Sequence, residues 1–210
     1  MILAIFGGTG RTGRQIVAQA LGRGHTLRAL VRTSGSLDGV AGVVEVVGDV
    51  LDPEAVTATV SGSDAVLSAL GGGPPSAPGV TLSQGMRNIV AAMQVANVRR
   101  VVAVANSGIL DSPSGGLRMD QPDFAEKYRA VAREHAGTWK ALRESDRAWT
   151  VACAPDIVDG PSTASWHATP DVLPDGARQI STGNLADFML DELVAERFVG
   201  LRVGVADSPD

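Results

Sequence analysis

The sequence predicts an α/β fold, a doubly wound parallel sheet in one domain with helices on both faces. Two observations predict it. A short apolar run at residues 2–6 leads into a glycine-rich turn at 7–13 and then into a helical pattern. Beyond that turn, short β-rich runs alternate with longer helical runs, as in a parallel sheet covered by helices. The 210 residues, 44% of them hydrophobic, are enough for one substantial core, so we expect a single domain over 1–210.

Hydrophobic spacing and turn residues set the limits of each element. The first helix, 11–23, has apolar residues at helical spacing and ends at Gly24, and a short helix begins at Pro53, where proline is favoured. The later strands are predicted, in order, at 26–31, 43–47, 64–70, 100–105, 149–153 and 201–205. The remaining helices are predicted at about 80–96, 123–144 and 183–195.

Two connections are long for a compact domain. Segment 71–79 consists mostly of glycine and proline, and segment 154–176 contains four prolines. Each follows the carboxyl end of a predicted strand, where open α/β sheets bind their ligands. We therefore expect both to be substrate-side loops.

The glycine-rich segment has the spacing of a dinucleotide-binding turn. Gly8, Gly10 and Gly13 match G-x-G-x-x-G, in which glycine permits a tight turn, close approach of backbone N–H groups to a pyrophosphate, and close packing of helix on strand. The helix that follows directs unpaired N–H groups and its positive end at the anion. The segment therefore predicts a Rossmann-type nucleotide site. Its expected contacts are Gly7, Thr9, Gly10, Arg11, Thr12 and Gly13.

The residue that follows the second strand predicts which nucleotide binds. In such folds an acidic residue about 20 positions beyond the glycines usually holds the ribose 2′-hydroxyl of NAD. Here Arg32 stands at that place, followed by two hydroxyl residues, and this group suits a 2′-phosphate. The sequence therefore predicts NADP(H), with Arg11 and Arg14 as further positive charge. Asp49, just beyond the third strand, either contacts the adenine edge or only shapes a turn.

Composition argues against several other classes of protein. The net charge is −5 and the 18 Lys and Arg residues are scattered, which argues against a nucleic-acid surface. The single cysteine, Cys153, lies in an apolar run and is predicted to be a buried thiol in a reducing compartment. No apolar run approaches the ~20 residues of a membrane helix, and the histidines show no metal-ligand spacing. We expect a cytoplasmic monomer or small homo-oligomer that binds no metal, nucleic acid or membrane.

Several motifs, spread over nearly the whole chain, carry a family resemblance. They are residues 5–13, 30–32, 47–50, 85–90, 142–145 and 155–157. Together they resemble the atypical short-chain dehydrogenase/reductases, and within that group the biliverdin reductase B (flavin reductase)-like and NmrA-like NAD(P)-binding proteins. These motifs are specific for cofactor binding and much less specific for the substrate.

The resemblance implies roles for individual residues. The expected NADP contacts are Gly10, Thr12, Gly13, Arg32, Asp49 and Val50. It also implies that the backbone at Leu70 and Gly71 passes beneath the cofactor, and that Pro155 and Ile157 flank the nicotinamide. Asp156 stands where the biliverdin reductase B-like proteins have a histidine, which puts an identical substrate preference in doubt.

The proton-transfer residues of alcohol-oxidising members of the group are missing here. Those enzymes use a Tyr-x-x-x-Lys pair, but Tyr128, the single tyrosine, is followed at that spacing by Ala132. A hydride delivered to a ketone would then leave an alkoxide without an evident proton donor. A flavin or quinone relaxes this requirement because its conjugated rings spread the charge. Asn106 or Ser107, either of which matches the family's serine near the nicotinamide, and Asp156 could assist as proton donors or hydrogen-bond partners.

Three functions are compatible with this pattern. The favoured one is an NADPH-dependent reductase whose partner is a planar small-molecule acceptor, with flavin as a substrate rather than a bound prosthetic group. The second is an NADP(H)-sensing regulator without catalysis, as in NmrA-like proteins. A nucleotide-sugar epimerase is disfavoured, since those relatives also use Tyr and Lys.

Overall fold

The computed structural model describes residues 1–208, and ten strands and five α-helices lie within them. The strands are β1 (Ile2–Phe6), β2 (Thr26–Val31), β3 (Val43–Val47), β4 (Ala65–Ser68), β5 (Arg100–Asn106), β6 (Ala148–Ala154), β7 (Asp156–Val158), β8 (Trp166–Pro170), β9 (Gln179–Ser181) and β10 (Leu201–Asp207). The helices are α1 (Arg11–Gly22), α2 (Pro53–Val60), α3 (Thr81–Val95), α4 (Arg129–Arg143) and α5 (Thr182–Ala195).

Eight of the strands form one sheet in the order β3-β2-β1-β4-β5-β6-β10-β8. All neighbours are parallel except β8, which runs antiparallel to β10. The chain builds outward from β1 in one direction and then returns to add β4 on its other side. The crevice between β1 and β4 is therefore the switch point at which ligands bind in such sheets. The predicted doubly wound α/β fold is confirmed.

Helices cover both faces of the sheet, and the strands alternate accordingly. In β1, Leu3 and Ile5 belong to the apolar cluster that holds α1 and α5. Ala4 and Phe6 belong to the opposite cluster, which holds α2, α3 and α4. All four side chains are completely buried, as expected for a central parallel strand. Cys153 is buried in the second cluster, and burial raises the pKa of its thiol, which confirms the structural thiol.

A buried ion pair fixes α5 to the amino ends of two strands. The Arg100 guanidinium donates to the Glu192 carboxylate at 2.9 Å, and to the backbone oxygens of Ala148 and Glu192. Thr150 and the backbone N–H of Phe198 also donate to that carboxylate. Burial lowers the pKa of Arg100 while Glu192 opposes the shift. Because each charge has several partners, the pair belongs to a hydrogen-bond network and is not an isolated buried charge, although Arg100 Nε itself has no partner.

Most predicted elements are confirmed, but two predictions are wrong. The helix predicted at 123–144 begins only at Arg129, whose guanidinium donates to the carbonyls of Met119, Gln121 and Phe124 and folds the preceding chain into a loop. The segment 154–176 is not a simple loop, because it contains β7 and β8. Segment 71–79 is a connection, as predicted, and β4 is shorter than the predicted 64–70.

Candidate cofactor-binding site

The turn after β1 is built around glycines that no other residue could replace without a clash. Gly7 has φ +81°, and a Cβ there would overlap the carbonyl of Ala69, just beyond β4. A Cβ on Gly13 would overlap the carbonyl oxygen of Gly7. A Cβ on Gly8 or on Gly10 would meet its nearest neighbour at 3.3 Å, so the tightest constraint within the predicted Gly8, Gly10 and Gly13 set is at Gly13, and Gly7 adds a second one just before that set.

The amino end of α1 is open to an anion. Gly10 is its N-cap residue and has no side chain with which to satisfy the first-turn N–H groups. Its own N–H donates to Gly7 at 3.0 Å, which closes the turn beneath the helix. The N–H groups of residues 11–13 therefore have no capping side chain, and they follow a turn that a Cβ at Gly7 or Gly13 would distort. This cradle fits a pyrophosphate, with the helix dipole adding favourable charge.

Arg32 is exposed at the carboxyl end of β2, on the loop that leads to β3. That loop is held from below by Glu45 of β3, whose carboxylate accepts from the backbone N–H groups of Gly35 (2.8 Å) and Leu37 (2.6 Å). The Leu37 side chain is buried and lies against the α1 face beside Gly8. The loop that carries Arg32 is thus fixed relative to the glycine turn.

The two arginines expected to assist Arg32 bond elsewhere. Arg11 donates to the Ile157 carbonyl at 3.3 Å and forms an exposed ion pair with Asp159 at 3.2 Å. Arg14 donates from Nε to the Thr9 carbonyl at 3.0 Å. Arg11 therefore links the start of α1 to the segment after β6, while Arg14 braces the glycine turn.

Asp49 and Val50 lie beside the crevice, at the turn after β3. The Asp49 carboxylate accepts from the Leu51 N–H at 2.9 Å, so it does shape this turn; its adenine contact stays a prediction. Val50 is buried, and both it and the half-buried Leu70 contact the position a Cβ on Gly85 would occupy. Gly85 of α3 thus lets this helix approach the chain after β3 and β4. Gly71, the next residue after Leu70, is exposed.

At the end of β5, Asn106 and Ser107, the two candidates for the family's serine, have different hydrogen bonds. The Asn106 side chain accepts from the Gly108 N–H at 2.9 Å, capping a short 3-10 turn. The half-buried Ser107 hydroxyl forms no hydrogen bond to any residue in 1–208 and stays available to a ligand. Tyr128 lies in a 3-10 turn before α4, and Ala132, four residues later, is buried against Gly108.

The end of β6 brings the remaining predicted residues to the same edge of the sheet. Pro155 and Ile157 are half-buried, and Asp156 is exposed on β7, which pairs with β9. Arg202 of β10, which sequence reasoning missed, joins the segments that follow β5 and β8 by donating to the carboxylates of Asp111 and Asp171. A charged residue inside a predicted apolar strand was the available signal for it. Glu45 was also missed, and its position within a valine-rich strand was the comparable signal.

Comparison with known proteins decides the family. The family model described as NAD(P)H-binding matches residues 7–196. This range contains the glycine cradle, Arg32 and all five helices, and it leaves out β1 and β10. The chain belongs to the NAD(P)H-binding family. The predicted nicotinamide-nucleotide family is thereby confirmed, and the matches below support an oxidoreductase.

Relatives of this NAD(P)H-binding protein include the Bacillus subtilis protein YwnB, 28% identical over 201 residues, or 92% of each chain. A Stenotrophomonas maltophilia 2-alkyl-3-oxoalkanoate reductase is 28% identical over 173 residues, 77% of this chain. The match covers 52% of that reductase, about half its length.

Solved structures extend the likeness over the full chain. A Streptococcus pneumoniae protein provisionally assigned as an NADH-flavin reductase superimposes with a TM-score of 0.84 at 26% identity, covering 99% of this chain and 100% of its own. A Burkholderia pseudomallei protein provisionally described as exported has a TM-score of 0.85 at 29% identity, covering 98% and 99%. Of the helices within residues 1–208 of this NAD(P)H-binding protein, not one has the length and hydrophobicity to span a bilayer.

Proposed function

We propose that this protein is an NADPH-dependent reductase that delivers hydride to a flavin, quinone or related conjugated acceptor. The observation that carries the proposal is the environment of α4. Ala132, at Tyr-x-x-x-Lys spacing after Tyr128, is buried against Gly108 and offers no group that could assist proton transfer. The site therefore favours an acceptor that needs no strong proton donor from the protein. The provisional assignment of the Streptococcus pneumoniae structure as an NADH-flavin reductase supports the same class of acceptor.

Different residues around the crevice would bind the phosphates of the coenzyme and orient its nicotinamide ring. The cradle at 7–13 would hold the pyrophosphate, and Arg32 the 2′-phosphate, so that the nicotinamide, which supplies the hydride, lies near the ends of β4, β5 and β6. Leu70, Gly71, Pro155 and Ile157 would contact that ring. We propose that the Ser107 hydroxyl donates a hydrogen bond to the acceptor, and that exposed Asp156 exchanges protons between acceptor and solvent.

Oxidation of NADPH tests the proposal directly. The purified protein is mixed with NADPH and, separately, with FMN, riboflavin, a simple quinone and a simple aliphatic ketone. We expect turnover with a flavin or the quinone and none with the ketone. Tight NADP+ binding without turnover of any acceptor would contradict the proposal and favour the regulator. Loss of turnover in Ser107→Ala, with NADP+ binding retained, would support the contact assigned to Ser107.

A further inference from the structure

A polar cavity of about 480 Å³ opens in the segment that joins β5 to α4. Its volume lies in the range of small-molecule sites. Ser112, Ser114, Arg118, Asp123 and Phe124 contribute to its lining. The cavity is separate from the glycine cradle and from the loop that carries Arg32, since it contains no residue of either.

Arg118 in this cavity is an arginine without an acceptor. Its Nε is buried and has no hydrogen-bond partner, and no residue in 1–208 forms an ion pair or hydrogen bond with its guanidinium. The other half-buried or buried arginines within residues 1–208 each bond through at least one guanidinium nitrogen. Arg129 binds three carbonyls, and Arg202 binds two carboxylates. Arg100, whose Nε is also unpartnered, donates to Glu192 through a terminal nitrogen. A buried N–H without an acceptor is costly, and a guanidinium with no partner of its own is free to bind an acceptor that enters the cavity from outside the chain.

The loop around Arg118 is already ordered in the shape that forms the cavity. The Gln121 side-chain amide donates to the carbonyls of Gly115 and Leu117, at 2.7 and 3.2 Å. The Ser112 hydroxyl accepts from the Ser114 N–H at 3.2 Å. An anion that enters would therefore meet a pre-organised loop, and little free energy would be spent on ordering it.

The cavity borders the proposed reaction site. The Phe124 ring lies against Gly108, in the 3-10 turn that begins at Ser107. An acceptor whose ring stacks near Ser107 could extend along Phe124 and reach Arg118 with a charged substituent. A guanidinium beside hydroxyl groups suits a phosphate, for which arginine provides charged and directional donors.

We propose that this cavity binds the phosphate of FMN, so that the protein distinguishes FMN from riboflavin. The identity of this acceptor rests on the proposed function, whereas binding of the phosphate at Arg118 can be measured without any reaction. Asp123, which lines the same cavity and is exposed, opposes the anion by like charge. Substitutions that neutralise Arg118 and Asp123 should therefore change the affinity for FMN in opposite directions.

The test is a titration of FMN and of riboflavin into the protein with excess NADP+, followed by quenching of flavin fluorescence. We expect the wild-type protein to bind FMN about tenfold more tightly than riboflavin, and Arg118→Gln to reduce the ratio to about two or less. Asp123→Asn should increase it. Riboflavin affinity should be the same in all three proteins, which controls for misfolding of either variant.

Each other outcome separates this inference from the proposed function. Three results would overturn the FMN site. They are equal binding of FMN and riboflavin by the wild-type protein, binding of neither flavin by that protein, and an Arg118→Gln variant that keeps the wild-type ratio of the two affinities. Oxidation of NADPH at equal efficiency with both flavins would leave the reductase intact and overturn the site. FMN-selective binding lost in Arg118→Gln, without any NADPH oxidation, would support the site and contradict the reductase.

Discussion

The carboxyl end of β2 carries Arg32 where folds of this type that take NAD usually place an acidic residue. Its exposed side chain is held near the glycine cradle only through the backbone, because the loop beneath it is fixed by Glu45 and Leu37. A guanidinium in this position attracts a 2′-phosphate and gains nothing from a 2′-hydroxyl. Preference between the two coenzymes should therefore depend on this one side chain.

Replacing Arg32 tests that preference. Arg32→Ala should lose selectivity for NADPH over NADH by roughly 1 to 3 kcal/mol, because a charge-assisted contact to the phosphate is removed. The measurement is the ratio of kcat/KM for the two coenzymes with the same acceptor. Arg99→Ala, which removes an exposed arginine before β5, is the matched control and should keep the wild-type ratio. An unchanged ratio in Arg32→Ala would show that the 2′-phosphate binds elsewhere.

Individual site residues were predictable where their signal is local. The glycine turn and the place of Arg32 after β2 could be predicted because strand, turn and helix follow one another directly in the sequence. The engagement of Arg11 with Ile157 and Asp159 could not, since it joins segments that only the tertiary fold brings together. The unpartnered guanidinium of Arg118 also required the structure, because a sequence does not show which arginines find acceptors.

At the scale of elements, α1 depends on the absence of a side chain at one position. Gly13→Ala would place a methyl group on the carbonyl oxygen of Gly7, so the turn and the helix would have to move apart. We expect at least a tenfold weaker affinity for NADP+ and a loss of about 1–3 kcal/mol in the free energy of unfolding. Calorimetry and urea denaturation measure the two quantities. Gly22→Ala, in the same helix and with nothing within 4 Å of its added Cβ, should bind NADP+ normally and be at least as stable as the wild type.

The loop between β2 and β3 gives a second prediction at this scale. Glu45→Gln keeps the shape of the side chain but leaves only one amide oxygen for the N–H groups of Gly35 and Leu37. The loop should become less ordered, and NADP+ should bind several-fold more weakly while NAD+ is little affected. Paired titrations with both nucleotides measure this, with exposed Glu144→Gln as the control. If both nucleotides weaken equally, Glu45 supports the fold in general rather than the 2′-phosphate subsite.

Elements with strong local patterns have the bounds that the sequence predicts. β2 and β3 begin and end at the predicted residues because their β-branched and apolar residues are flanked by clear turn signals. β8 was missed because it has five residues with weak alternation, ends at Pro170 and is an edge strand whose pairing with β10 is non-local. α4 starts later than predicted because carbonyl contacts to Arg129 compete with the first helical turn.

At the scale of the whole molecule, two buried arginines connect parts of the chain that are far apart in sequence. Arg100 ties α5 to the amino ends of β5 and β6. Arg202 ties β10 to the segments that follow β5 and β8, and its guanidinium lies 4.2 Å from the centre of the Trp139 ring. Since each donates to several acceptors, they fix the positions of elements around the crevice rather than supplying its chemistry.

One buried titratable side chain has no such hydrogen-bond partners at one of its ring nitrogens. His135 of α4 is buried, and within residues 1–208 no acceptor or donor meets its Nδ1. Burial lowers the pKa of His135 from 6.5 to about 4. Well above pH 6.5 the imidazole is neutral in both the folded and the unfolded chain, and its ionisation does not affect the free energy of unfolding. As the pH falls from 6.5 towards 4, the unfolded chain takes up a proton that the folded chain does not, so folding becomes less favourable.

We therefore expect the free energy of unfolding to decrease on acidification because of this residue, by about 2 kcal/mol at pH 5 relative to pH 7.5. Urea denaturation across this range, in the wild-type protein and in His135→Leu, isolates the effect, since the variant should lose stability less steeply with falling pH. Thr138→Val, which replaces a buried and likewise unpartnered hydroxyl one turn further along α4, is the matched control and should keep the wild-type slope. Parallel pH profiles for the wild type and His135→Leu would mean that water or a local opening of α4 lets His135 take up its proton in the folded state.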